Sequence, residues 1–114
     1  MPDTRVVHVM RDEYDVYIGR ANPRNGLKAS VWANPFKIGR DGTRVEVIAK
    51  YRAYLLTRSD LLNRLGELRG KRLACWCAPE PCHGDVLVEL AENLGLDIDR
   101  TEYLVYRRRE VHHE

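Results

Sequence analysis

The sequence predicts a single compact α/β domain, a small mixed or mostly parallel sheet flanked by helices. Three observations predict it: short β-branched and aromatic runs near the N-terminus, helix-period stretches through the middle, and a succession of strand, loop and helix around the cysteines. A chain of 114 residues fits one domain, 1–114, and could not fill a second core.

The elements follow in order. Arg5 to Met10 and Asp15 to Gly19 are β-branched and aromatic runs separated by the polar Arg11-Asp12-Glu13, so they read as two strands, with a hairpin as one pairing. Residues 21–42 carry Asn22-Pro23, Asn25-Gly26, Asn34-Pro35, Gly39 and Asp41-Gly42, turn-forming residues without sustained periodicity. A loop this long inside a compact domain is functional or disordered, and Trp32 and Phe36 argue against disorder. It is expected to fold back over the domain as a lid or pocket wall.

Thr43 with Glu46 three residues on forms a capping box, and Val45, Ile48, Tyr51 and Leu55 then recur on one face, which predicts a helix over Arg44 to Leu56. Ser59 is the next N-cap candidate, with Leu61, Leu65 and Leu68 marking a short helix that ends near Gly70. Lys71 to Trp76 reads as a strand. After the Cys/Pro/His/Gly loop comes a helix over Asp85 to Leu94, apolar at Val86, Leu87, Leu90, Ala91 and Leu94 and stopped by Gly95. Thr101 to Tyr106 is apolar and aromatic enough for a last strand, and 107–114 is a charged tail.

Composition narrows the function classes. At 44% hydrophobic and 32% charged residues, the chain can bury a core and is neither disordered nor collagen-like. Its apolar runs are too short for a membrane-spanning helix, and Arg5, Arg11, Asp12 and Glu13 stand where a signal peptide needs an apolar block. No membrane partner is therefore expected, and the expected location is cytoplasmic. The 3 cysteines are an odd set crowded between positions 75 and 82, unlike a disulfide framework, so they are expected to be reduced thiols or metal ligands.

A net charge of +2 is too balanced to imply a polyanion partner by itself. The distribution says more: Arg20, Arg24, Lys28, Lys37, Arg40 and Arg44 are interrupted by a single acid, Asp41, and Arg107-Arg108-Arg109 forms a second cluster. A solvated charged face is the plain alternative.

The segment Cys75-Trp76-Cys77-Ala78-Pro79-Glu80-Pro81-Cys82-His83-Gly84-Asp85 joins a strand to a helix, the place where ligands of open α/β sheets bind. A helix start presents unpaired N–H groups that hold phosphates and lower thiol pKa values. Gly84 would let the backbone come close to a ligand.

Three readings compete here. Cys75, Cys77, Cys82 and His83 supply four zinc-type ligands, although their spacing departs from the usual knuckle. Alternatively Cys82 is a nucleophile or His83 an acid/base, with Asp85 orienting the imidazole or a ligand hydroxyl. In the third, Cys75 is a core hydrophobe, Cys77 an inert thiol and Asp85 a helix-cap carboxylate.

The pattern Tyr17-Ile18-Gly19-Arg20, Val31-Trp32-Ala33-Asn34-Pro35-Phe36 with Gly39 and Asp41-Gly42, and Leu73-Ala74-Cys75-Trp76-Cys77 leading to Cys82-His83-Gly84-Asp85-Val86-Leu87 resembles a family of uncharacterised small proteins of bacteria and bacteriophages. The resemblance spans roughly residues 15 to 92 and implies that both loops line one pocket. In that pocket Arg20, Lys37 and Arg40 would face an anion, Trp32 or Phe36 would stack a base, and Asn34 would bond its edge.

The leading expectation is a protein that binds a nucleotide-like or other phosphate-bearing ligand at the Cys/His loop and the following helix start, with action on it through Cys82, His83 or Asp85 left open. One alternative is a non-enzymatic module that binds nucleic acid or protein around a structural zinc. The other is a phage accessory protein that binds a host factor through its basic loop.

Overall fold

The computed structural model describes residues 3–95. Strands β1 (Arg5–His8) and β2 (Val16–Tyr17) come first, then helices α1 (Arg44–Leu56) and α2 (Ser59–Leu62), strand β3 (Arg72–Cys75) and helix α3 (His83–Gly95). Single 3-10 turns at Pro23–Asn25 and Leu65–Leu68 punctuate the connections. The expected strand over Thr101 to Tyr106 and the tail 107–114 lie outside the described residues.

The sheet order is β1-β3-β2, and both outer strands run parallel to β3, Arg5 pairing with Arg72 and Val16 with Leu73. This corrects the hairpin reading: β1 and β2 never meet. The reason lies in burial. Leu73, Ala74 and Cys75 of β3 are buried in succession, the mark of a central strand covered on both faces, whereas β1 and β2 are only half-buried. Residues 9–15 carry the chain back to the far edge, where Asp15 accepts hydrogen bonds from the Arg72 backbone N–H (2.8 Å) and guanidinium (3.1 Å). These contacts hold the Asp15 carboxyl down at about 2 and fix the start of β2.

Helix α1 has the predicted boundaries and the predicted capping box, Thr43 Oγ1 accepting from the Glu46 N–H and the Glu46 carboxylate accepting from the Thr43 N–H. Its apolar stripe is rotated from the expected one. Val47, Tyr51 and Leu55 recur at spacings of four and are buried, while Val45 is 76% exposed. The second helix is corrected to two pieces: Ser59 lies inside α2 instead of capping it, and Leu65 and Leu68 bury themselves from the 3-10 turn. A spacing of three suits a 3-10 turn as well as an α-helix, and Gly66 weakens the longer alternative.

The core lies between the sheet and the helices, built on Ile18, Tyr51, Leu55, Leu65, Leu73 and Leu87, all fully buried. Each such side chain contributes about 1.5–3 kcal/mol of transfer free energy. Tyr51 satisfies its hydroxyl on the Trp32 carbonyl (2.8 Å), which clamps the long loop to α1. Among the described residues no helix is long and apolar enough to cross a membrane.

Candidate ligand-binding site

Because β2 and β3 are parallel, their carboxyl ends open on the same side of the sheet. There a cavity of about 520 Å³ is bounded by the exit of β2 (Tyr17, Gly19, Arg20), the exit of β3 (Cys75 to Cys77) and the start of α3. The long loop supplies the facing wall through Asn34, Phe36 and Lys37, and α1 adds Arg44, Val47 and Ile48. The size falls within the range of small-molecule sites.

The wall is stiff for local reasons. The buried Asn34 accepts the Phe36 N–H (2.9 Å) and donates to the Val47 carbonyl (3.2 Å). Asp41 accepts the Lys37 N–H (2.8 Å), and the Lys50 ammonium donates to the Asp41 carbonyl (2.6 Å). Phe36 meets Tyr54 edge-on at 6.3 Å. Across the cavity Trp76 is 39% exposed but held in place, its indole N–H donating to Tyr17 Oη (2.9 Å) while that hydroxyl donates to the Arg20 carbonyl (2.6 Å). His8 packs edge-on against the same indole.

Three cations reach the cavity: Arg20, Lys37 and Arg44. Arg20 donates to the Phe36 carbonyl (2.8 Å) and so bridges β2 to the loop. Among the described residues the Lys37 ammonium has no hydrogen-bond or ion-pair partner. Arg44 reaches the opposite lip, donating to the Pro81 carbonyl (2.9 Å) and standing 3.4 Å from Glu80. The Cys77 side chain, then Glu80, raise its guanidinium above the ordinary value. Among the described residues no Asp or Glu lines the cavity.

The expected site residues separate into pocket and scaffold. Arg20, Asn34, Phe36 and Lys37 line the cavity, whereas Trp32 and Arg40 do not. Trp32 is buried in the core beneath the Arg64 guanidinium, and Arg40 is engaged with Asp41 (2.7 Å) and the Pro35 carbonyl (3.0 Å).

Cys82, His83 and Asp85 together start α3. Cys82 stands at the N-cap, where its Sγ accepts the Gly84 N–H (3.3 Å) and its own N–H donates to the Asp85 carboxylate (3.0 Å), a reciprocal capping box with sulfur in place of a hydroxyl. His83 is buried, its Nε2 donating to the Ile18 carbonyl (2.8 Å) and its ring edge-on to Tyr51. Burial lowers its pKa, so the imidazole is neutral near pH 7. Gly84 serves helix–sheet contact: a Cβ there would lie 2.8 Å from Val6 Cγ2 and 2.9 Å from Ile18 Cδ1.

The four residues of the zinc reading do not gather as one set. Among the described residues no group of three or more His, Cys, Asp and Glu side chains lies close enough to hold a metal ion. Cys75 and Cys82 do meet, with sulfurs 3.3 Å apart, while Cys77 turns to Arg44 and His83 to Ile18. The Cys82 thiol donating to it, then the Cys77 and Ala78 amides, pull Cys75 below the ordinary thiol range. The same contact and burial push Cys82 up.

Sequence reasoning missed Arg44, Tyr17 and Trp76 as pocket residues. A signal existed for Arg44: it occupies the first helical position of α1, where the helix dipole favours acids, so a cation there calls for another partner. Nothing in the sequence distinguishes Trp76 from a core aromatic.

The sequence profile of a family described as a domain of unknown function (DUF4326) matches residues 4–93, and the chain belongs to that family. It is 40% identical over 86 residues to the uncharacterised protein R718 of Acanthamoeba polyphaga mimivirus, covering 67% of this chain and 65% of that protein. It is 32% identical over 105 residues to an uncharacterised 12.4 kDa protein in the nrdA-td intergenic region of Enterobacteria phage T4, covering 88% of each. These matches bear out the resemblance drawn from the motifs. No solved structure matches the chain significantly.

Proposed function

We propose that this member of the DUF4326 family binds a nucleotide or another small phosphate-bearing molecule in the cavity at the carboxyl ends of β2 and β3. The observation that carries the reading is the convergence of Arg20, Lys37 and Arg44 on one cavity whose lining, among the described residues, holds no acid. Guanidinium groups suit phosphate because their planar donors match its oxygens, and among the described residues Glu80, outside the lining, is the acid paired with one of the three, Arg44. Phe36 and Trp76, both in the lining, offer flat apolar faces for a base.

The reading is one of binding. Cys82 and Asp85 are engaged in the cap of α3 and His83 on the Ile18 carbonyl, so no chemical step is assigned to them. Two N–H groups at the start of α3 are already satisfied by the Cys82 and Asp85 side chains, which leaves phosphate recognition to the side-chain cations.

Calorimetric titration of the full chain with nucleoside mono-, di- and triphosphates tests this. Saturable binding of equimolar stoichiometry is expected for at least one nucleotide, weakened about tenfold or more in Arg44→Ala and in Arg20→Ala, the scale of one lost charge-assisted hydrogen bond. Absence of binding across the panel, or affinity unchanged in both variants, would contradict the reading.

A further inference from the structure

We propose that Cys75 and Cys82 are a redox-active dithiol, which hydroperoxides convert to an intramolecular disulfide in the floor of the cavity. Cys75 ends β3 and Cys82 caps α3, so the loop of residues 76–81 returns the chain and brings the two sulfurs to 3.3 Å. Both side chains are buried, yet both line the cavity, so a small oxidant reaches them without unfolding. The third thiol, Cys77, interacts with Arg44.

Each sulfur has a suitable hydrogen-bond environment. The Cys75 and Cys82 sulfurs share a hydrogen-bond contact, and the Cys82 side chain with the neighbouring Cys77 and Ala78 backbone holds the Cys75 thiol below its ordinary range, which favours its thiolate. Cys82 keeps the proton and stands ready as the second thiol. To form the bond the sulfurs close from 3.3 Å to the disulfide length of about 2.05 Å, a small movement for side chains already in contact.

The reaction balances in two steps. The Cys75 thiolate attacks an oxygen of the hydroperoxide, the O–O bond breaks, and the departing hydroxide (from hydrogen peroxide) or alkoxide (from an organic hydroperoxide) takes a proton from water or buffer to leave as water or an alcohol. The sulfenic acid on Cys75 is then attacked by the Cys82 sulfur; the S–O bond breaks, and hydroxide departs with the Cys82 proton as water. The two thiols lose two electrons and the peroxide gains them. A dithiol reductant reverses the change by thiol–disulfide exchange.

The inference rests on the sulfur geometry and is independent of what the cavity binds. It is tested on the full chain treated with hydrogen peroxide, with free thiols then alkylated under denaturing conditions and the protein digested by chymotrypsin and a proline-specific endopeptidase. Cleavage after Trp76 and after Pro79 or Pro81 separates the 3 cysteines, so any cross-link is identified by the peptides it joins. The expected result is loss of two alkylatable thiols, a cross-link between the Cys75 and Cys82 peptides, its reversal by dithiothreitol, and the same cross-link in Cys77→Ser. A cross-link that includes Cys77, oxidation confined to Cys77, or three thiols still alkylatable after treatment would overturn the proposal.

Discussion

His83 sits between the Ile18 carbonyl and the Tyr51 ring with its imidazole neutral, because burial disfavours the charged form. An unfolded chain protonates this histidine near its ordinary value of 6.5, while the folded chain resists, so the stability it contributes is complete above that value and is lost as pH falls below it. Chemical denaturation between pH 7.5 and 5 is therefore expected to show falling stability in the wild type and a flatter profile in His83→Asn. A wild-type profile no steeper than that of the variant would contradict the assignment. At this scale the sequence singled out Cys82, His83 and Asp85 and left their roles open. Cys82, His83 and Asp85 are adjacent in sequence in a catalytic reading and in a capping one alike, and only the partners Gly84 N–H, Ile18 carbonyl and Cys82 N–H separate the two. Trp32 was legible as an ordered aromatic, but its place under Arg64 depends on how the loop folds back.

Among the elements, α1 was legible from its local chemistry, since the Thr43 and Glu46 pair fixes one end without reference to the rest of the fold. Sheet pairing was not legible, because register and neighbour depend on β3, some 55 residues away from β2. Two contacts at this level yield predictions. Gly84→Ala puts a Cβ against Val6 and Ile18 where α3 crosses the sheet, and thermal or urea unfolding is expected to show a loss of about 1–3 kcal/mol. A loss below a few tenths of a kcal/mol would show that α3 shifts freely. Asp15 latches β2 to Arg72, and its depressed carboxyl pKa means that the stabilisation is present above the ordinary value of 3.8 and is lost as pH falls from there toward about 2. Asp15→Asn is expected to flatten acid unfolding in that window, read by circular dichroism; an acid limb as steep as the wild type's would place the sensitive group elsewhere.

For the molecule as a whole, the cavity depends on bringing three separated stretches to one edge of a small sheet: the exit of β2, the loop wall at Asn34 to Lys37, and the turn from β3 into α3. The motif blocks announced the second and third of these, while Arg44 joined only once α1 was packed against the turn, and Trp76 once its indole met Tyr17 at the end of β2. The fold gives a direct way to ask whether the cavity is the site. The chain has 2 tryptophans, one at the cavity and one in the core, and each indole N–H gives its own signal in a proton–nitrogen correlation spectrum. Trp76 donates that hydrogen to Tyr17 at the cavity rim, whereas Trp32 is buried away from the lining. Titration with the tightest-binding nucleotide is predicted to move the Trp76 indole signal saturably and leave that of Trp32 in place; a nucleotide that binds and leaves the Trp76 signal unmoved would contradict the account.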